Sequence, residues 1–213
     1  MQPCKVCQQP TTAFRHPRFE MLFHACPHCR LITKDEANYI SLEEEYQIYE
    51  QHNNSPESEG YLNYLTNFLE AAVLPHVKTG TALDFGSGPN PVLSQLLTKE
   101  GFEVTLYDYF YAPDTDYLTR TYDLITSTEV VEHIQQPMMA FETLASLLKP
   151  GGILSIMTLF HPDDQDTFND WFYIRDPSHV SFFTPRTMQV IADRTGLVLI
   201  DTNHYRHVVM KKM

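Results

Sequence analysis

From Thr81 onward, short apolar runs alternate with stretches in which apolar residues recur at helical spacing, the pattern of strands joined by helices. Ala82–Phe85, Glu103–Asp108, Tyr122–Ser127 and Ile153–Leu159 read as strands. Between them, one helix runs from the turn at Pro91 to Lys99, and another covers Ala140–Leu148 and is stopped by Lys149-Pro-Gly-Gly. Thr184-Pro185 opens a last helix ending near Thr195-Gly196, and Leu197–Asp201 with Arg206–Met210 predict a closing strand pair. The gap from Asp108 to Tyr122 is too short for a well-formed helix plus strand, so that unit is expected to shrink to a loop and a stub. Such an alternation predicts an α/β fold with a mostly parallel sheet covered on both faces.

Upstream the pattern changes. Tyr61, Leu62, Leu65, Phe68, Leu69 and Ala72 predict a helix over about Glu57–Leu74, and the acidic, tyrosine-rich stretch 34–56 reads as a short helix and a linker. The first thirty-three residues hold every cysteine, as Cys4-x2-Cys7 and Cys26-x2-Cys29, over an apolar pad of Phe14, Phe19, Leu22 and Phe23. The expected organisation is a module of residues 1–33, a helical linker and cap of 34–78, and an α/β domain of 79–213.

Two Cys-x2-Cys knuckles match a tetrahedral structural Zn2+ site at Cys4, Cys7, Cys26 and Cys29. Iron also suits thiolates, and disulfides or plain thiols are the bland alternatives. Met-Gln-Pro-Cys-Lys carries no apolar leader core, and no stretch approaches eighteen apolar residues. A cytoplasmic protein without membrane insertion is therefore expected, in a compartment that disfavours disulfides. With 15 Lys and Arg against 27 Asp and Glu, the net charge of -12 favours a small-molecule substrate over long nucleic acid. Arg15, Arg18, Arg30 and Lys34 keep an RNA or protein acceptor open as a local alternative.

Asp84-Phe-Gly86-Ser-Gly88-Pro-Asn-Pro91 turns the backbone tightly above a strand end, and Asp108 at the end of the next strand suits a carboxylate accepting from ribose hydroxyls. The third glycine of a dinucleotide turn is replaced by Pro91, and a pyrophosphate would be repelled by Asp84. An adenosine carrying a sulfonium and an ammonium would not, which points to S-adenosyl-L-methionine.

In order, Leu83-Asp-Phe-Gly-Ser-Gly, Tyr107-Asp108, Thr126-Ser-Thr-Glu-Val-Val-Glu-His133 and Leu147-Leu-Lys-Pro-Gly-Gly-Ile-Leu154 resemble the motifs of class I S-adenosylmethionine-dependent methyltransferases. The likeness spans roughly residues 80–200 and is strongest to bacterial members that join an N-terminal zinc-ribbon-like segment to a ubiquinone-methylase-like core. It implies a Rossmann-like, mostly parallel seven-stranded sheet, here with one strand reduced. It also implies that Gly86 and Gly88 line the methionine side of the cofactor, that Asp84 organises this loop, with Phe85 beside it, or meets the ammonium, and that Asp108 holds the ribose. Tyr109 and Phe110 would then cover the adenine, with Ser127, Thr128 and Glu129 at the rim.

Methyl transfer from a sulfonium is an in-line displacement governed by alignment, with a base needed only where the acceptor must lose a proton. His133, which follows Glu132, and His161, which precedes Asp163-Asp164, both fall after strand ends. The long connection from Phe160 to Thr184 reads as a lid or binding loop, in which Trp171 and Tyr173 would wall an acceptor, Arg175 meet a negative group, and His179 act as base or orienter. The plainer reading packs Trp171, Phe182 and Phe183 onto the sheet and makes Asp176-Pro-Ser-His a capped turn. Related methyltransferases carry an Asp-Pro-Ser/Thr-His segment near the acceptor pocket, and Tyr46, Tyr49 and His52 would close that pocket from the N-terminal side. The expected function is methylation of a small, possibly aromatic or quinone-like acceptor. RNA or protein methylation and a noncatalytic cofactor-binding module are the alternatives.

Overall fold

The computed structural model describes residues 2–51 and 55–213. Its first element is an antiparallel meander of β1 (Thr12–Arg15), β2 (Leu22–Ala25) and β3 (Ile32–Lys34). Each cysteine pair occupies a knuckle closed by two backbone hydrogen bonds, Cys4 N–H to Gln9 O with Gln8 N–H to Cys4 O, and Cys26 N–H to Leu31 O with Arg30 N–H to Cys26 O. Gln8 and Arg30 take positive φ of 63° and 68° to make these turns. His16 to Met21 repeats the same bonding between β1 and β2, with Glu20 at φ 56°.

α1 (Leu42–Tyr49) follows, opened by a capping box between Ser41 and Glu44. His52, expected at the cavity mouth, falls outside the described residues. α2 (Glu59–Phe68) runs on through a wider turn over Leu69–Val73. The α/β unit then comprises β4 (Gly80–Phe85), α3 (Val92–Lys99), β5 (Phe102–Tyr107), β6 (Tyr122–Thr128), α4 (Pro137–Leu147), β7 (Leu148–Met157), α5 (Gln165–Asp170), β8 (Ser181–Phe182), α6 (Pro185–Thr195), β9 (Leu197–Thr202) and β10 (His207–Lys212).

The larger sheet has the order β5-β4-β6-β7-β10-β9. Its first four strands are parallel, and β10 runs antiparallel between β7 and β9. Among the described residues it has six strands, the missing one of the expected seven being the unit between Asp108 and Tyr122 that was expected to shrink to a loop and a stub. Residues 109–121 supply only the short helical turn Thr115–Thr119, so β5 remains the edge.

Strand alternation sends neighbouring residues to opposite faces. Ala82, Leu124, Ile153 and Val209 pack with α2 and α3 through Leu65, Phe68, Leu93 and Leu97. Leu83, Ile125, Leu154 and Val208 pack with α4 and α6 through Phe141, Leu144, Met188 and Ile191. Burial on both faces explains why these strands read as continuous apolar runs. Thr184 and Thr187 form a capping box at the start of α6, worth about 1 kcal/mol, and Gly196 ends it in the left-handed conformation.

The two sheets meet through the connection after β7. β8 pairs with β3, Ile32 opposite Phe182 and Thr33 opposite Ser181, and so becomes the fourth strand of the cysteine-bearing sheet. Phe23, Phe168, Tyr173, Ile174 and Phe182 form the core beneath it.

Candidate functional site

Above the carboxyl ends of β4 and β6 lies a cavity of about 770 Å3, inside the range of about 300–1,000 Å3 usual for small-molecule sites. Its floor begins where β4 stops. Gly86 has φ 87°, and a Cβ there would stand 2.2 Å from Cγ2 of Val130, so both backbone and space require glycine. The N–H groups of Gly86 and Ser87 donate to the Tyr107 carbonyl at 2.7 and 3.1 Å, which draws the turn over β5. Gly88 has φ 64°, and nothing stands within 4 Å of the position its Cβ would take, leaving that side of the turn open.

Asp108 closes the turn. Its Oδ2 accepts from Gly88 N–H at 2.9 Å, and its Oδ1 accepts from the N–H groups of Phe110 and Tyr111 at 2.9 and 3.0 Å. Asp84 lies at the end of β4, where its carboxylate accepts from the hydroxyls of Ser94 at 2.7 Å and Thr126 at 3.1 Å. Burial pushes its pKa up to about 6. Asp84, Phe85, Gly86, Gly88, Asp108, Tyr109, Thr128 and Glu129 all line the cavity. Ser127, expected at the rim, does not. It is fully buried, because strand alternation turns it away from the face that presents Thr128.

The opposite wall is built from the turn after β6 and the segment after α5. Val180 N–H donates to the Glu132 carbonyl at 2.8 Å, and Ser181 Oγ donates to the Ile134 carbonyl at 3.0 Å. These bonds bring His133 and His179 together, with ring centroids 4.7 Å apart, and both line the cavity. His179 Nδ1 faces the Tyr173 carbonyl at 2.8 Å. A carbonyl only accepts, so Nδ1 carries the hydrogen and Nε2 keeps its lone pair. Burial lowers the His179 pKa.

Glu129 adopts φ 53°, accepts from Tyr64 Oη at 2.6 Å and meets Tyr173 Oη at 2.8 Å. Glu132 is fully buried, and its Oε1 meets Tyr173 Oη in a close hydrogen bond, so the single Tyr173 hydrogen serves one of the two carboxylates and the other contact needs a proton on the carboxyl. Burial raises the Glu132 pKa well above the carboxylate range, and the neighbouring Glu129 charge adds to this. Glu132, His133 and His179 offer ligand-type atoms all within 4.8 Å of one another.

His161 does not join this group. Its ring nitrogens face the carbonyls of Pro162 at 2.8 Å and Arg30 at 2.7 Å, so the side chain that follows β7 turns under the cysteine knuckle and does not line the cavity. Trp171 packs with Phe168, Tyr173 and Phe182, as the plainer reading held, and Arg175 is exposed and outside the cavity lining. Tyr49 lines the cavity, while Tyr46 does not and packs with tilted rings against Phe110 and Tyr111. Sequence reasoning missed Tyr64 and Phe172. The helical stripe through Tyr61 and Leu65 placed α2 correctly but gave no sign that Tyr64 would reach a carboxylate sixty-five residues away.

All four cysteines are buried and reduced. Their sulfurs lie within 4.8 Å of one another, with Cys4–Cys29 and Cys7–Cys26 each at 3.4 Å. Tetrahedral bonds of about 2.3 Å set sulfurs about 3.8 Å apart, so the cluster could hold a metal with small adjustments. The Cys4–Cys29 contact draws the Cys4 thiol down and pushes Cys29 up, so the pair shares one proton between two buried sulfurs.

A family model described as a methyltransferase domain matches residues 58–202. The ubiquinone biosynthesis O-methyltransferase of Vibrio cholerae serotype O1 is 30% identical over 79 residues, covering 37% of this chain and 32% of that protein. Its counterpart in Vibrio parahaemolyticus is 32% identical over 84 residues, covering 38% and 34%. The matched segment thus spans about a third of the length of these curated relatives. Among solved structures, 1,6-didemethyltoxoflavin-N1-methyltransferase of Burkholderia thailandensis, with bound 1,6-didemethyltoxoflavin and S-adenosylhomocysteine, superposes with a TM-score of 0.56 at 12% identity, over 96% of this chain and 100% of that one. Mitomycin 7-O-methyltransferase gives 0.55 at 13% identity, over 79% and 60%. At such identities the likeness is one of fold.

Proposed function

The chain belongs to the methyltransferase domain family, and from that premise we propose that it transfers a methyl group from S-adenosylmethionine to a small acceptor held beside His133 and His179. The observation that carries this reading is the continuity of one cavity from the Gly86–Asp108 turn to the two histidines. S-adenosylmethionine brings an already activated methyl on a sulfonium, so the chain's task is placement. Asp108, pinned by three backbone N–H groups, presents its remaining lone pair to a ribose hydroxyl. Asp84 supplies negative charge beneath the turn for the cationic end of the ligand, and the unfilled space at Gly88 admits close approach. His179, neutral with Nε2 free of hydrogen, is able to take a proton from an acceptor hydroxyl.

Tyr49, Tyr61, Tyr64, Phe110, Phe172 and Tyr173 supply aromatic walls, which support a flat aromatic or quinone-like acceptor. The curated relatives are named as O-methyltransferases of ubiquinone biosynthesis, which is in keeping with this acceptor class. A macromolecular acceptor is less well supported. Arg30 is paired with Asp163, and the Arg15 guanidinium is turned onto the Glu20 carbonyl, so these charges do not join into a basic track. The four thiolates are assigned to Zn2+ in a closed, structural set, with the cysteine module bracing the histidine-bearing segment.

Calorimetric titration of zinc-replete protein with S-adenosylmethionine tests the assignment. Binding of one molecule per chain is expected, and Asp108→Ala should weaken it roughly ten- to a hundredfold, the loss of about 1.5–3 kcal/mol in hydrogen bonds to a charged group. Absence of binding to the intact protein would defeat the proposal.

A further inference from the structure

We propose that the acceptor carries an amine held as its ammonium ion, and that Glu45 of α1 is the residue that selects it. The proposal deepens the methyltransferase reading above, on which it rests for taking the histidine-bearing half of the cavity as the acceptor's half.

The first argument is the sign of the wall. Glu45, Asp84, Asp108, Glu129 and Asp176 line the cavity, and among the described residues no lysine or arginine does. Asp84 and Asp108 are the two assigned to the cofactor. Asp176 and Glu129 are answered by cations that stand outside the lining. Lys34, buried and donating to the Pro177 carbonyl at 2.7 Å, bears on Asp176, and Arg206, 5.0 Å from the centre of the Tyr64 ring, bears on Glu129. Glu45 has no such answer. Among the described residues it forms no ion pair, its Oε1 accepts from Tyr49 Oη at 2.7 Å, and the charge that bears on it is that of Asp176. Burial raises the Glu45 pKa, and the Asp176 charge adds to this. A carboxylate partly removed from water beside a second one is costly until a cation arrives. A cleft lined by one sign of charge also concentrates ligands of the opposite sign.

The second argument is the element that carries Glu45. α1 buries none of its residues, so packing against the core does not dictate its inward stripe. Leu42, Glu45 and Tyr49 fall three and four residues apart on one helical face, and that face lines the cavity. Glu43 and Glu44, both exposed, already complement the helix N-terminus. An uncharged acceptor would need only apolar cover from this stripe, yet its middle position is a carboxylate. Tyr49 sets its ring edge-on to His133, with centroids 5.3 Å apart, and gives its hydroxyl to Glu45, so one tyrosine separates Glu45 from the histidine pair. Tyr49, Phe172 and Tyr173 line the same half, and aromatic faces attract a cation. An acceptor bearing a carboxylate or phosphate would meet Glu45, Glu129 and Asp176 with no lysine or arginine in the lining to receive it.

The test uses the full chain, its cysteines loaded with zinc and its cofactor site filled with S-adenosylhomocysteine, titrated calorimetrically with tyramine, para-propylphenol and phloretate. These share a phenol ring and a short side chain that ends in a positive charge, a methyl group and a negative charge respectively. Tyramine is expected to bind roughly tenfold tighter than para-propylphenol, with phloretate weaker than either. Glu45→Gln should remove most of the tyramine advantage while para-propylphenol affinity stays within about twofold of wild type, which shows that the cavity is intact, and Glu45→Lys should place phloretate ahead of tyramine. Equal binding of the three, no binding of tyramine up to millimolar concentration, or a tyramine affinity unchanged in Glu45→Gln would overturn the proposal. S-adenosylmethionine affinity, measured on the same preparations, separates the two readings. A chain that binds S-adenosylmethionine without preferring tyramine keeps the methyltransferase reading and rejects the ammonium. One that prefers tyramine without binding S-adenosylmethionine does the reverse.

Discussion

A carboxyl group buried as deeply as Asp84 and pushed up to about 6 by loss of solvent ionises within the range of ordinary buffers. The cationic end of S-adenosylmethionine favours its anion, so a proton must leave Asp84 when ligand binds at lower pH. Affinity should therefore rise as pH rises from about 5 to 7, and Asp84→Asn should bind more weakly with a flatter profile; calorimetry across that interval reads both. A wild-type affinity that falls over this interval would remove Asp84 from the cofactor side. The placement of Asp84, Gly86 and Asp108 was legible in the sequence because it is local: a strand end, a turn that needs glycine, a carboxylate at fixed spacing. His161 had the same local credentials and was misplaced. Its orientation is set by carbonyls of Pro162 and Arg30, and the second of these comes from a distant segment. The hydroxyl pair on Glu129 was invisible for the same reason.

The elements followed a similar rule. Strands buried on both faces announced themselves as apolar runs, and β4, β5 and β6 lie within two residues of their expected bounds. β7 differs: it starts at Leu148 and passes through Lys149-Pro-Gly-Gly, because the residues that stop α4 can still pair at the strand's beginning. The three short strands of the cysteine module are too brief for a periodicity signal. The pairing of β3 with β8 joins residues about 150 apart and left no trace in either segment. Yet that pairing has the largest consequence among the elements. Lys34, buried on β3, donates Nζ–H to the Pro177 carbonyl at 2.7 Å and its backbone N–H to Val180, while Thr187 at the start of α6 donates to the Cys29 carbonyl. The cysteine knuckles are thus tied to the segment that carries His179. Cys29→Ser should lower Tm by about 5–10 °C, from roughly 2–3 kcal/mol at about 2–4 °C per kcal/mol. Hydrogen exchange in residues 176–184 should rise with it, ahead of any change in the Gly86–Asp108 turn. Equal exchange in both regions, or native cysteines found as disulfides without metal, would contradict the bracing role.

At the scale of the molecule, an acidic chain of net charge -12 holds a large cavity with the glycine turn on one wall and two histidines on the other. Among the described residues no helix is long and apolar enough to cross a membrane. The charge disfavours long polyanionic partners, and the aromatic lining favours a compact acceptor that can be enclosed. Methyl transfer itself is therefore the decisive property. Zinc-replete protein incubated with methyl-labelled S-adenosylmethionine and cell extract, then separated by size, is predicted to place label in the small-molecule fraction, with loss of that label in Asp108→Ala. Label confined to RNA or protein, or no transfer by a chain that binds the cofactor, would contradict the account.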